Sequence, residues 1–175
     1  MKIIDLSQEL FTGMPVFPGD PEVKIEPVLT IEDGGWLVRR LEINSHDGTH
    51  VNLPAHVMTG GKTVNNFGIE EFVGDCEIYF EGMAMNEKVG VIFRDQNIDK
   101  GIAEQIKLQK PKFVGLSEEF EFDLEIEKDL LLNGIISYEK LANLKTLPNK
   151  FKFYGVPLKI RDGEGSPVRA FAVVE

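Results

Sequence analysis

The sequence predicts an α/β fold in a single domain. Apolar, β-branched segments typical of buried strands alternate along the chain with stretches typical of short helices, and this alternation marks the class. A length of 175 residues suits one domain, residues 1–175, with a substantial core, and no repeat or linker interrupts it. The predicted strands span 2–6, 76–80, 89–93, 113–116 and 135–138, and the predicted helices span 66–73, 99–109 and 124–132.

The composition indicates a globular protein and argues against some classes of binding partner. Hydrophobic residues make up 42% and charged residues 27% of the chain, as in ordinary globular proteins. A net charge of −10 argues against binding to nucleic acid or to an anionic membrane surface. The single Cys76 excludes an internal disulfide. No apolar run reaches the length of a membrane span, and Asp5 comes too early for a signal peptide, so we expect a cytoplasmic protein.

The N-terminal part combines a stiff loop with a hairpin. Three prolines restrict the backbone of residues 11–22, and Phe17 within this loop lines either a pocket or the core. Residues 23–30 and 36–44 flank a glycine-containing turn and form the predicted hairpin, in which Trp36 is expected to pack. The second strand of this hairpin leads directly into the histidines of the chain.

All three histidines fall within one short segment. If the segment is extended, the even spacing of His46, His50 and His56 projects their side chains from one face. Gly48 then leaves space for an ion between the first two imidazoles, and neutral imidazole is a good ligand for zinc or iron. The pattern favours a metal or catalytic site, and a polar strand end with three solvated histidines is the alternative.

Residues 45–56 resemble a long motif of fixed spacing. Their order, Ser-His-Asp-Gly-Thr-His-Val-Asn-Leu-Pro-Ala-His, is similar to H-x-G-T-H-x-D-x-P-x-H of the metal-dependent cyclase/kynurenine formamidase family. Residues 3–7 and 13–20 resemble the opening of that family. Residues 157–160 and 163–170 resemble its ending, so the resemblance covers nearly the whole chain.

The resemblance implies the swivelling β/β/α fold of the family and a metal-dependent hydrolase. The expected substrate is an aryl formamide of the N-formylkynurenine type, which would link the enzyme to tryptophan catabolism, or a cyclic amide or ester, attacked by metal-activated water. By position, His46, His50 and Glu139 are metal ligands, and His56 is the general acid/base. Phe17 aligns with a substrate-contacting aromatic residue, but it lacks the indole donor of the kynurenine-specific branch.

Two positions depart from the family pattern. Asn52 replaces the aspartate of the motif, and Glu127 stands where the family has a second-metal histidine. Neutral asparagine is a poor bridge between two cations, yet Glu127 and Glu139 together restore two carboxylates. We therefore predict one divalent ion rather than two, with Asn52 and Glu127 completing the ligand set. Zinc is the expected metal, and manganese and iron are the alternatives.

The predicted activity has two rivals. A catalytically impaired relative would keep the fold for small-ligand binding or assembly, and a non-metal enzyme would use His56 alone as its acid/base. The three retained histidines favour the metal hydrolase. The expected partner is a small-molecule substrate, with no nucleic acid and no membrane, and the resemblance implies a homodimer or homotetramer.

Overall fold

The computed structural model describes residues 1–174. Within them, nine strands form one mixed sheet and two strands form a separate hairpin. The strands are β1 (Lys2–Asp5), β2 (Lys24–Leu29), β3 (Val38–Glu42), β4 (His50–Asn52), β5 (Val73–Ile78), β6 (Gly90–Phe93), β7 (Val114–Ser117), β8 (Ser137–Leu141), β9 (Lys150–Tyr154), β10 (Gly165–Pro167) and β11 (Phe171–Val174). The helices are α1 (Ile31–Gly34), α2 (Lys100–Gln109) and α3 (Leu124–Leu132).

The large sheet has the strand order β1-β11-β9-β5-β6-β7-β8-β4-β10. Strands β5 to β8 are parallel to one another, and the remaining pairs are antiparallel. Ile3 pairs with Val173, and the Leu6 amide donates to the Ala170 carbonyl at 2.9 Å. The two ends of the chain, which carry the opening and ending of the family pattern, are therefore neighbours in space.

Two apolar cores lie on opposite faces of the sheet, because side chains alternate along each strand. On β6, Ile92 packs into one core, whereas Val91 and Phe93 pack into the other. Helices α2 and α3 cover the second face and contribute the fully buried Ile106 and Leu130. The structure thus has the predicted α/β class, with its parallel strands buried on both faces as is usual for such strands.

Most of the predicted elements are present. Helix α3 begins after Asp123, whose carboxylate accepts hydrogen bonds from two amides of the first turn. The predicted helix over 66–73 is wrong, because two short 3-10 turns precede β5, which begins at Val73. Gly68 separates these turns, and so short a stretch gains too little to offset the cost of helix nucleation. The strand predicted over 135–138 is shifted towards the C-terminus in β8.

The predicted hairpin is present as β2 and β3, joined by the helical turn α1. Its pairing runs from Lys24 opposite Glu42 to Leu29 opposite Val38. Trp36 was expected to pack but is 75% exposed, because the hairpin forms a sheet of its own instead of joining the large one. None of the helices in the described part of the chain combines the length and the apolar character needed to traverse a bilayer.

Candidate functional site

Strand β4 lies at the centre of the site, between β8 and β10. His50 on β4 is paired with Glu139 on β8, and Asn52 on β4 is paired with Gly165 on β10. Glu164 directly precedes β10 and so arrives beside the same strand. Strand pairing therefore brings acids from distant parts of the sequence to the histidines.

The predicted extended histidine segment is wrong, because the backbone is extended through β4 and Leu53 but turns on either side of them. Gly48 has a φ of 59° and bends the chain before the strand, and a 3-10 turn begins at Pro54 after it. These turns still bring the three rings together. The centroid of the His46 ring lies 5.2 Å from that of His50 and 4.0 Å from that of His56.

Gly48 was expected to leave the space between the rings, but Gly165 on the neighbouring strand does so instead. A Cβ at Gly48 would lie 2.8 Å from the side chain of Leu10 and 3.5 Å from that of Met14, not between imidazoles. A Cβ at Gly165 would lie 2.7 Å from Cε1 of His46. The room for the His46 ring therefore comes from a glycine on the neighbouring strand β10.

Four side chains form a group here termed the inner cluster: His50, Asn52, Glu127 and Glu139. The Asn52 amide nitrogen donates to Glu127 Oε1 at 2.5 Å and to Glu139 Oε1 at 2.8 Å. The His50 Nδ1–H donates to the Gly48 carbonyl at 2.7 Å, which leaves Nε2 facing Glu139 Oε1 at 3.3 Å. The inner cluster is therefore a closed network in which amide hydrogens lie between two carboxylates.

A backbone irregularity aims Glu139 at His50. Lys140, the next residue, has a φ of 54°, in the left-handed region that side-chain-bearing residues seldom adopt. The Thr49 hydroxyl donates to the Lys140 carbonyl at 2.7 Å and holds this conformation. The register between β7 and β8 shifts at the same place, as it does where a bulge redirects a side chain.

The two inner carboxylates are too close for both to be charged at low cost. Burial, together with the charge of Glu139, raises the pKa of Glu127 to about 7. Burial also acts to raise the pKa of Glu139, but the contact with His50 and the hydrogen bonds with Asn52 and Glu127 together outweigh it and lower that pKa to about 2. At neutral pH Glu139 is thus ionised, whereas Glu127 holds its proton more strongly than an ordinary glutamate.

Three further side chains form a group here termed the outer cluster: His46, His56 and Glu164. One ligand atom from each lies within 4.8 Å of the other two, a spacing at which three groups can share one cation. The Ser45 hydroxyl donates a short hydrogen bond to Glu164 Oε1. Burial acts to raise the pKa of Glu164, but this hydrogen bond, a backbone hydrogen bond and the neighbouring His46 together outweigh it, so the pKa is lowered and the carboxylate is ionised at neutral pH.

The ring of His46 contacts both clusters, and one of its two nitrogens makes no hydrogen bond to the described residues. Its Nδ1 lies 2.6 Å from Asn52 Oδ1, which can only accept, so Nδ1 carries the proton and Nε2 the lone pair. Nε2 is buried and has no hydrogen-bond partner among the described residues, although Glu164 Oε1 lies 3.3 Å away. Burial, followed by the charge of His50, lowers the pKa of His46 and keeps the ring neutral. An orphaned buried lone pair calls for an explanation, and a bound cation supplies one.

Among the residues predicted for the site, Phe17 alone belongs to neither cluster, and its side chain is 58% exposed. The other predicted residues contribute to one cluster or the other: His46, His50, Asn52, His56, Glu127 and Glu139. Sequence reasoning missed Glu164 and its partner Ser45. The signal for Glu164 that went unused was an acid directly before a glycine, in the segment that resembles the family ending.

Comparison with known proteins gives the family of this chain. Residues 4–121, most of the chain, match the family described as Putative cyclase. The chain belongs to this family. An uncharacterised protein of Methanocaldococcus jannaschii is 32% identical over 192 residues, covering 99% of this chain and 100% of that protein, so the likeness continues beyond residue 121.

Other members of the cyclase family have named activities. A kynurenine formamidase of Salinibacter ruber is 23% identical over 217 residues, covering 97% of this chain and 96% of that enzyme. The solved structure of isatin hydrolase A from Ralstonia solanacearum has the same fold, with a TM-score of 0.77 and 19% identity over 99% of this chain and 92% of its own. These likenesses confirm the predicted family and its α/β fold.

Proposed function

We propose that the protein is a metal-dependent hydrolase that cleaves an amide bond in a small molecule. Aryl formamides of the N-formylkynurenine type and cyclic amides such as isatin are the substrates that the names of its relatives suggest. One observation carries the proposal. The buried, unbonded Nε2 of His46 faces two further ligand groups, His56 and Glu164, in one small space.

The residues present fit a divalent ion such as zinc. Imidazole nitrogen and carboxylate oxygen are ordinary zinc ligands, and adjacent ligands of a tetrahedral zinc lie about 3.3–3.5 Å apart. The nitrogen–oxygen distance is 3.3 Å both from His46 to Glu164 and from His50 to Glu139. Manganese or iron also suits a mixed nitrogen and oxygen site. The family resemblance assigns His46, His50 and Glu139 to the ion and His56 to proton transfer, and the geometry adds Glu164.

The chemistry divides between the ion and the chain. A bound divalent ion supplies a Lewis acid that acidifies water and polarises a carbonyl oxygen. The ring of His56 reaches the surface, where a substrate arrives. Partial burial and the proximity of the His46 ring lower the pKa of His56, so this imidazole is neutral at pH 7 and has a lone pair for a proton or a cation. Asn52 fixes the orientation of the His46 ring through Nδ1.

A catalytically impaired relative that binds a small ligand is the second candidate. One observation favours it: the hydrogens of the Asn52 amide lie between Glu127 and Glu139, where an aspartate would bring negative charge. Asparagine therefore removes an anionic bridge between two ions. It leaves the outer cluster with three ligand groups, and a hydrolase with one ion accounts for that cluster better.

Hydrolysis assays with N-formylkynurenine and isatin test the proposal. We expect turnover that a chelator abolishes and that zinc or manganese restores, and a loss of at least about 10³-fold in kcat/KM for His56→Ala. Glu104→Ala, which removes an exposed acid on α2, is the control and is expected to keep full activity. Turnover that survives chelation would point to the non-metal route. Zinc binding without turnover of either amide would point to the impaired relative.

We further propose a homodimer or homotetramer, as the family resemblance implies. Light scattering after size-exclusion chromatography measures the mass directly. Twice or four times the mass of one chain is the expected result, and the mass of a single chain at micromolar concentration contradicts it.

A further inference from the structure

We propose that the protein binds one divalent ion in the outer cluster, through His46, His56 and Glu164, and that the Asn52 amide takes the place of a second ion. This inference rests on the proposed function, since it takes metal dependence as given. It departs from the family-based assignment in two ways. His56 becomes a ligand, and Glu164, which that assignment leaves out, becomes another.

The outer cluster has acceptors that face one another without a donor between the closest pair. His46 Nε2 and Glu164 Oε1 approach to 3.3 Å, yet Nε2 carries a lone pair and makes no hydrogen bond. Two acceptors at this distance attract each other only if a cation or a proton lies between them. The His56 imidazole closes the group, because its ligand atom lies within 4.8 Å of the other two. Ser45 holds the carboxylate in place through its hydroxyl hydrogen bond.

The inner cluster contains a histidine–glutamate pair at the same distance, but a donor occupies the space beside it. Both hydrogens of the Asn52 amide nitrogen point at carboxylates, those of Glu127 and Glu139. The orientation of the amide follows from the two acids, because the ionised Glu139 only accepts and Glu127 Oε1 also accepts from Ser137, which leaves Oδ1 for His46. A cation beside these hydrogens would be repelled. The amide hydrogens thus reduce the repulsion between the two carboxylates, as a second cation would.

Access to solvent also favours the outer cluster. The side chain of Glu164 is 38% exposed and that of His56 reaches the surface, whereas the side chain of His50 is only 4% exposed. An ion at the outer cluster can meet a small substrate from solution.

Because the chain has three histidines, nuclear magnetic resonance of the imidazole nitrogens can locate the ion. The full-length protein, labelled with ¹⁵N-histidine and stripped of metal, is titrated with zinc chloride. The ring signals are assigned with His50→Gln. One equivalent of zinc is expected to shift one nitrogen of His46 and one of His56 to ligand positions, and to leave the nitrogens of His50 at their metal-free positions. A zinc-dependent ligand shift of His50 overturns the proposal, and so does an unshifted His56.

A matched pair of variants gives an independent measure of zinc affinity by competition with a chromophoric chelator. Glu164→Gln and Glu127→Gln make the same chemical change in different clusters. Glu164→Gln is expected to weaken zinc binding at least about 100-fold, and Glu127→Gln less than about 3-fold. Equal losses, or the opposite order, contradict the proposal. Since the titration above uses the wild-type protein, an unfolded variant would not remove the test.

Failure of this inference and failure of the proposed function give different results. If wild-type turnover requires zinc but the zinc shifts His50, only the position of the ion is wrong. If zinc shifts none of the three rings, both proposals fail.

Discussion

The inner and outer clusters use the same kinds of side chain in opposite ways. In the inner cluster, His50 and Glu127 are buried, and Asn52 donates hydrogen bonds to both acids. In the outer cluster, histidine and glutamate lie nearer the surface, and one imidazole nitrogen of His46 has no partner among the described residues. The difference lies in the donors, because only the inner cluster has an amide directed at its acids.

A group of histidines and acids is not a metal site by composition alone. What decides is whether a hydrogen-bond donor already satisfies the ligand atoms. One residue, Asn52, satisfies the inner acids and also fixes which nitrogen of His46 stays free. Four sets of substitutions test this difference between the inner and outer clusters.

The largest effect is expected when alanine replaces a histidine of the outer cluster. His46→Ala removes one of three proposed ligands, and we expect zinc affinity to fall at least about 10³-fold. His50→Ala is the matched control in the inner cluster, with an expected fall of less than about 10-fold. Calorimetric zinc titration measures both. A loss in His50→Ala as large as that in His46→Ala would erase the contrast between the clusters.

Asn52→Asp is expected to turn the inner cluster into a second metal site. Without metal, a third carboxylate replaces the donor between Glu127 and Glu139 and lowers the free energy of unfolding by about 3 kcal/mol or more. With zinc, the stability returns and the protein binds two ions per chain instead of one. Urea unfolding and elemental analysis measure these effects. A metal-free Asn52→Asp protein as stable as wild type would show that the amide hydrogens matter little.

Glu127→Gln is expected to stabilise the metal-free protein at alkaline pH. The pKa of Glu127 is about 7 when folded against an ordinary 4.5, so the folded state loses stability from this group as pH rises from 4.5 to 7. Glutamine does not titrate and still accepts hydrogen bonds from Asn52 and Ser137. The gain in unfolding free energy should be about 2–3 kcal/mol larger at pH 8 than at pH 5. A gain independent of pH would contradict the raised pKa of Glu127.

The smallest effect is expected from the two serines that donate to the acids of the two clusters. Ser45→Ala removes the hydrogen bond that holds Glu164, and zinc affinity should fall about 10-fold. Ser137→Ala removes the hydrogen bond to Glu127 and should lower stability by about 1 kcal/mol while leaving zinc affinity unchanged. Chelator competition compares the two. A larger loss of affinity in Ser137→Ala would place the ion in the inner cluster.

Local sequence patterns were sufficient to predict much of the fold and the proximity of the three histidines. The helix over 124–132 was predicted because its apolar residues recur at helical spacing and Asn133-Gly134 ends it. The turns that interrupt residues 46–56 were not predictable in this way. At Gly48 the backbone has a positive φ and a Cβ would collide with Leu10, a close approach that spacing within the segment cannot reveal.

The parts of the site that come from distant strands were harder to predict. Glu127 and Glu139 were found only through the family resemblance, and both lie in the inner cluster. Glu164 was missed because its position depends on the pairing of β10 with β4, and no local pattern encodes that pairing. The sequence shows that Asn52 is not an aspartate. Which way its amide faces depends on the acids that fold against it.

The most direct test is anomalous diffraction at the zinc edge from crystals of the wild-type protein grown with zinc. We expect one anomalous peak per chain, bounded by His46, His56 and Glu164, with the Asn52 amide still directed at Glu127 and Glu139. A peak between His50 and Glu139, or two peaks in each chain, would contradict this expectation.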